Sequence, residues 1–126
     1  MFKVHAPQEM NATFARAFNS RSLDNMLSLY EPEAVLLTDG GGKESRGLKA
    51  IAEELTKLLQ APGTMTSVNN FCVMHGDLAI LRADFVLREG DTVIAHGSTA
   101  ELVRRQPDGT WLYVIDHAAG ASLPPV

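Results

Sequence analysis

Apolar residues recur at helical spacing in the first half of this chain and alternate in the second. Met10, Phe14, Ala17 and Phe18 fall on one helical face, with Pro7 suited to a first turn. Ser22 is placed to cap a second helix whose Leu23, Met26, Leu27 and Tyr30 share a face, and Pro32 ends it. Residues 34–38 read as a short apolar strand, and Gly40-Gly41-Gly42 as a turn. Leu48, Ile51, Ala52, Leu55, Leu58 and Leu59 make the cleanest amphipathic helix, which Pro62-Gly63 follows.

From residue 64 onward the pattern is that of strands: 64–75, 78–88, 92–105 and 111–118. Gly76-Asp77, Glu89-Gly90-Asp91 and Pro107-Asp108-Gly109 supply the turns between them, and Gly97 marks a candidate bulge. The tail Ser122-Leu123-Pro124-Pro125-Val126 fits neither helix nor central strand. Helices first and an antiparallel meander afterwards predict one α+β domain over residues 1–126, with the helices covering one sheet face.

The strand at 78–88 carries Ala79, Leu81, Ala83, Phe85 and Leu87 on one face. Its other face carries Leu78, Ile80, Arg82, Asp84 and Val86. A sheet with one wet face should show more polar residues there. Both faces therefore look covered, and a second copy of the chain is the simplest cover for the face the helices leave open.

Composition narrows the function classes. The chain has 126 residues, and its 11 Lys and Arg against 15 Asp and Glu leave a net charge of −4. That balance argues against sequence-independent nucleic-acid binding, and no basic run is suited to a membrane surface. One cysteine, Cys72, excludes an internal disulfide and a multi-cysteine zinc site; its apolar neighbours read as those of an inert buried thiol. No apolar run reaches membrane-spanning length, and the first ten residues lack a signal-peptide core. The expectation is a soluble cytoplasmic protein without metal or cofactor. Gly40-Gly41-Gly42 lacks the pattern of a phosphate loop.

Three stretches resemble the nuclear transport factor 2-like (cystatin-like) superfamily over about residues 8–121. They are 18–24 (Phe-Asn-Ser-Arg-Ser-Leu-Asp), then Glu31-Pro32-Glu33-Ala34-Val35 with Arg46-Gly47-Leu48-Lys49-Ala50-Ile51, and Asp108-Gly109-Thr110-Trp111 with Val114 and 117–121. The last, with Arg82 in Ala79-Ile80-Leu81-Arg82, is similar to the association domain of calcium/calmodulin-dependent kinase II; SnoaL-like cyclases and ketosteroid isomerases share the fold. The resemblance implies a cone-shaped fold, a curved antiparallel sheet wrapped around the N-terminal helices, with a pocket on the concave face and dimer contacts on the convex one. It places Ile80, Arg82, Asp84, Val86, Leu112, Val114, Asp116 and Ala118 inward, and His96, Ser98, Ala100 and Leu102 too unless the bulge shifts the register by one. Ala79, Leu81, Ala83, Phe85, Trp111, Tyr113 and Ile115 then form the convex face, with Leu81, Phe85, Trp111 and Tyr113 as homodimer contacts.

Ketosteroid isomerases combine a carboxylate base with a Tyr and a protonated Asp that bind an oxyanion. The matching positions here hold Phe14, Thr38, and Thr99 or Ala100, so all three groups are missing. Asp39 stands one residue past the base position, which in a strand reverses its direction. What remains is Asp116, His96 and Asp84 as candidate catalytic groups. A pocket of Arg82, Ser98, Phe14, Phe18, Tyr30 and Val114 would hold a polar or anionic ligand through the Arg82 guanidinium. His75, His117 and His5 offer no convergent ligand set. Three readings of the inward charges stay open: a satisfied network that only fixes the fold, a ligand site, and a cofactor-independent isomerase, cyclase or lyase.

Overall fold

The first helical face folds as α1 (Met10–Asn19), preceded by a 3-10 turn at Pro7–Glu9. The structure is a computed structural model that describes residues 2–40 and 42–123. The central glycine of the 40–42 turn and the terminal Pro124-Pro125-Val126 lie outside the described residues.

Ser22 caps α2 (Leu23–Leu27), its hydroxyl accepting from the Asn25 N–H. Tyr30 does not lie on this helix. It opens β1 (Tyr30–Leu37), because α2 closes after one turn and Pro32 is accommodated in the strand. A short β2 (Ser45–Arg46) leads into α3 (Gly47–Leu58). Arg21, in the left-handed region at φ 59°, holds the far end of α3. Its guanidinium donates to the carbonyls of Leu59, Ala61 and Gly63 and lies over the Phe18 ring.

The strands follow as β3 (Thr64–His75), β4 (Leu78–Glu89), β5 (Thr92–Ser98), β6 (Ala100–Arg105) and β7 (Trp111–His117). Among the described residues they make one seven-stranded curved, unclosed sheet, ordered β2-β1-β7-β6-β4-β3 with β5 also on β4. The sheet is mixed rather than antiparallel: β1 runs parallel to β7, since the chain returns to the N-terminal element only after the meander is complete. The expected long strand at 92–105 is present, interrupted at Thr99 with its register to β4 kept across that break; the register shifts instead between Leu87 and Arg88, where Ile94 is the extra residue. Gly97 is not a bulge. It sits opposite Phe85, and a Cβ there would lie 2.9 Å from that ring.

The helices cover the wholly apolar face of β4, so Ala79, Leu81, Ala83 and Leu87 are buried while Ile80, Arg82 and Asp84 face out. This reverses the sequence-based assignment of the two faces. Burying the side of β4 that has no charges removes apolar area from water and leaves Arg82 and Asp84 solvated, whereas the opposite choice would bury both. Trp111 and Tyr113 are likewise under the helices, in one core with Phe18, Met26, Leu29 and Ile51. The residues expected to make the dimer, Leu81, Phe85, Trp111 and Tyr113, therefore face inward.

Candidate functional site

Between the inner sheet face and helices α1 and α3 the packing leaves a cavity of about 240 Å³. Its walls are largely apolar, with Phe14, Leu36, Leu55, Met65, Phe85 and Leu87 among them. Its floor is polar: Asn11, Tyr30, Thr99, Glu101, Tyr113 and Asp116. Phe14, Tyr30 and Tyr113 form an aromatic cluster with centroids 5.0 to 6.5 Å apart.

A bulge builds that floor. β6 and β7 pair Leu102 with Ile115 but Val103 with Tyr113, so Val114 is the extra residue. Strict alternation would set Tyr113 and Asp116 on opposite faces; the bulge brings both inward. Glu101 is the cross-strand partner of Asp116 and points the same way. Two carboxyls thus meet in a buried site, Glu101 3% and Asp116 7% exposed.

The hydrogen bonds around the pair are specific. The Tyr30 hydroxyl donates to Asp116 Oδ2 at 2.5 Å. Asn11 Nδ2 donates to Glu101 Oε2 at 2.7 Å and to Thr99 Oγ1 at 3.4 Å, while Asn11 Oδ1 accepts from the Tyr113 hydroxyl at 3.2 Å. Asn69 reaches in from β3, bonding both the Asn11 backbone N–H and its side-chain oxygen. Glu101 Oε1 is buried without a partner. Burial, followed by the Asp116 charge, pushes the Glu101 carboxyl up to about 8. Burial raises Asp116 to about 6, with the Tyr30 hydrogen bond acting the other way. Both tyrosine hydroxyls are raised, mainly by burial and then by Asp116. A proton held by one acid beside an ionised second acid is a donor–acceptor pair near neutral pH.

The residues expected at the site divide sharply. Asp116, Tyr30 and Phe14 line the cavity, as do Thr38 and Thr99 from the positions compared with ketosteroid isomerases. Arg82 is exposed on the outer face. Asp84 lies beside it, accepting from Asn70 Nδ2 at 2.7 Å and Ser98 Oγ at 2.6 Å. His96 is exposed on that same side, paired with Val86. Phe18 is fully buried in the core and Val114 sits at the bulge; neither lines the cavity. Asp39 is exposed, and His5 and His75 are too. Cys72 is half-buried against the core, and burial raises its thiol.

Glu101, Tyr113 and Asn11 were missed from sequence. Glu101 shares its strand face with Val103, but the 89–91 turn alone does not place it: the pairs beside the turn, Glu89–Thr92 and Arg88–Val93, would set Ala100 opposite Leu81. An extra residue at Ile94 shifts the register by one, and only then does the uncharged face of β4 bring Glu101 inward. Asn11 carries no signal either, since its role depends on the docking of α1.

A family model described as a SnoaL-like domain matches residues 11–118. A search of curated proteins gives no match. Among solved structures, one named as a calcium/calmodulin-dependent protein kinase type II association domain, from Thiobacillus denitrificans, is 22% identical with a TM-score of 0.78. The match covers 95% of this chain and 98% of that one. An NTF-2 like protein of unknown function from Shewanella oneidensis is 18% identical, TM-score 0.71, covering 86% and 92%. A ketosteroid isomerase-like protein from Erwinia carotovora atroseptica is 17% identical, TM-score 0.64, covering 89% and 95%. At these identities the structures show the shared fold.

Proposed function

The chain belongs to the SnoaL-like family, and from that premise we propose that it is a cytoplasmic small-molecule-binding protein that works as a homodimer. The observation that carries the binding reading is the cavity, largely apolar in its walls with a polar floor of named side chains. Its volume of about 240 Å³ suits a ligand of about one ring with a short polar arm; an engineered cavity of roughly 150 Å³ already takes benzene. An anionic ligand held by Arg82 is not part of this proposal, because that side chain lies outside the cavity. The test is a titration of isotope-labelled protein with benzylamine, benzyl alcohol and benzoate, followed by amide shifts at residues 113–116. Binding tighter than about 1 mM for at least one is expected. Ala95→Trp, which plugs the exposed mouth, should abolish it. No binding by any of the three overturns the reading.

The Glu101–Asp116 pair favours a second reading, cofactor-independent proton transfer, with Asp116 as base and protonated Glu101 as donor to a substrate oxygen. Exchange of α-protons of cyclic ketones in deuterated water tests it. Asp116→Asn should slow exchange by about a hundredfold; undiminished exchange removes the proposed base.

The homodimer rests on the outer face. Val35, Ile115, Leu102, Ile80 and Val73 are successive cross-strand partners, an apolar row spanning β1, β7, β6, β4 and β3. Ile80 is 56% exposed and Val73 52%, with Phe71 and Val68 beside them on β3. The lone free Cys72 accords with a reducing compartment. Sedimentation should give a dimer at micromolar concentration and a monomer for Ile80→Glu. A wild-type monomer would sink the proposal.

A further inference from the structure

We infer that the ligand of this cavity carries a protonated amine, seated between Glu101 and Asp116 and against the rings of Phe14, Tyr30 and Tyr113; the inference rests on the cavity being a ligand site. The argument lies in the direction of the hydrogen bonds. Around the two carboxyls the donors are already committed within the protein. The Tyr30 hydroxyl is spent on Asp116 and the Tyr113 hydroxyl on Asn11 Oδ1. The Asn11 amide is spent on Glu101 Oε2 and Thr99, and the Thr99 hydroxyl turns to the Ala83 carbonyl. Acceptors remain in surplus, and Glu101 Oε1, in a side chain 97% buried by its 3% exposure, has no partner. With the acid pair ionised, a ligand that completes this floor must bring donors.

Charge points the same way. Among the described residues, no Lys, Arg or His lines the cavity. The titratable groups facing Glu101 are Asp116 and Tyr113 on β7 and Tyr30 on β1, with the uncharged Asn11 approaching from α1. Helix α3 adds Glu54 to the wall, whose carboxylate is paired with the exposed Lys43 and Lys57 outside. A carboxylate or phosphate ligand would meet the like charge of the ionised acid pair. An ammonium group meets opposite charge, supplies up to three N–H donors, and lies against aromatic faces that attract cations. The cavity's size limits the remainder of the molecule to roughly one ring.

Benzylamine, benzyl alcohol and benzoate share a ring and differ in the group presented to the floor, so their affinities separate the possibilities. At about pH 8.5 benzylamine should bind at least about tenfold tighter than benzyl alcohol, the size of one buried charge-assisted hydrogen bond. Its affinity should rise between about pH 5.5 and pH 8.5, as the acid pair gives up its protons while the amine keeps its own. Glu101→Gln should lower benzylamine affinity by at least about tenfold and leave benzyl alcohol within about twofold. Benzyl alcohol or benzoate binding as tightly as benzylamine at every pH overturns the inference while the cavity remains a ligand site. If none of the three binds, the cavity reading fails and this inference falls with it. Should Glu101→Gln not fold, the wild-type pH profile decides: flat or falling benzylamine affinity overturns the inference.

Discussion

At about pH 9 the Glu101→Gln variant should be more stable than the wild type, although it alters a buried residue at the heart of the molecule. The folded protein holds a proton on Glu101 up to about pH 8, while the unfolded chain releases it near the ordinary value of 4.5. Between those values the native state binds more protons than the unfolded state, so stability falls as pH rises. The contribution of the neutral acid is fully present below about pH 4.5 and is lost as pH passes through 8. Above that, the wild type must bury a charge beside Asp116 with no cation to offset it.

Gln stays neutral throughout and keeps an oxygen for the Asn11 amide. The shift from 4.5 to about 8 sets an upper bound on the order of 5 kcal/mol for the difference at high pH. Thermal unfolding midpoints should therefore nearly coincide at about pH 5 and diverge by on the order of 10 °C at about pH 9, with the variant higher. A pH-independent difference, or a variant that melts lower at about pH 9, would show that Glu101 is not held neutral by its surroundings.

Asn11→Ala should lose on the order of 4 kcal/mol at neutral pH. Asn11 is 5% exposed and ties α1 to three strands: to β3 through Asn69, to β6 through Glu101, and to β7 through Tyr113. Removing its amide strands Glu101 Oε2 beside an Oε1 that already lacks a partner, and leaves the Tyr113 hydroxyl without its acceptor. Each buried group so orphaned costs about 1–3 kcal/mol. Denaturant unfolding measures the loss, and a cost under about 1 kcal/mol would mean that water replaces the amide. Asn11→Asp gives the complementary result. It replaces a donor with a third carboxyl against Glu101, so it should be worse than Ala at about pH 8 and recover toward about pH 4, where all three acids are neutral.

Some of this site was legible before the fold was known. The register of the 78–88 and 92–105 strands follows from the intervening turn only as far as Arg88–Val93; an extra residue at Ile94 then shifts it by one, so the turn by itself did not give the Leu81–Glu101 pairing. The family resemblance implies the opposite face assignment, with the polar set Arg82, Asp84, His96 and Ser98 inward. In water those groups are cheap to leave on the outer face, and the fold leaves them there. Asp116 was placed inward together with Val114, by alternation that the bulge at Val114 in fact breaks. Tyr113 shows the consequence: it lies three residues before Asp116, and only the extra residue brings both onto the cavity floor.

The sequence by itself determined the class of fold and the course of its elements: helical spacing up to residue 59, alternation after 64, and turns where glycine, proline and aspartate cluster. Those are local properties, set by side-chain periodicity and backbone preference within a few residues. The tertiary structure decided which sheet face the helices cover, that β1 joins β7 in parallel, and that Asn11, Tyr30, Glu101, Tyr113 and Asp116 meet. Burial compares whole faces, and hydrogen bonds join residues as far as 102 positions apart. Neither quantity exists until the chain has closed on itself.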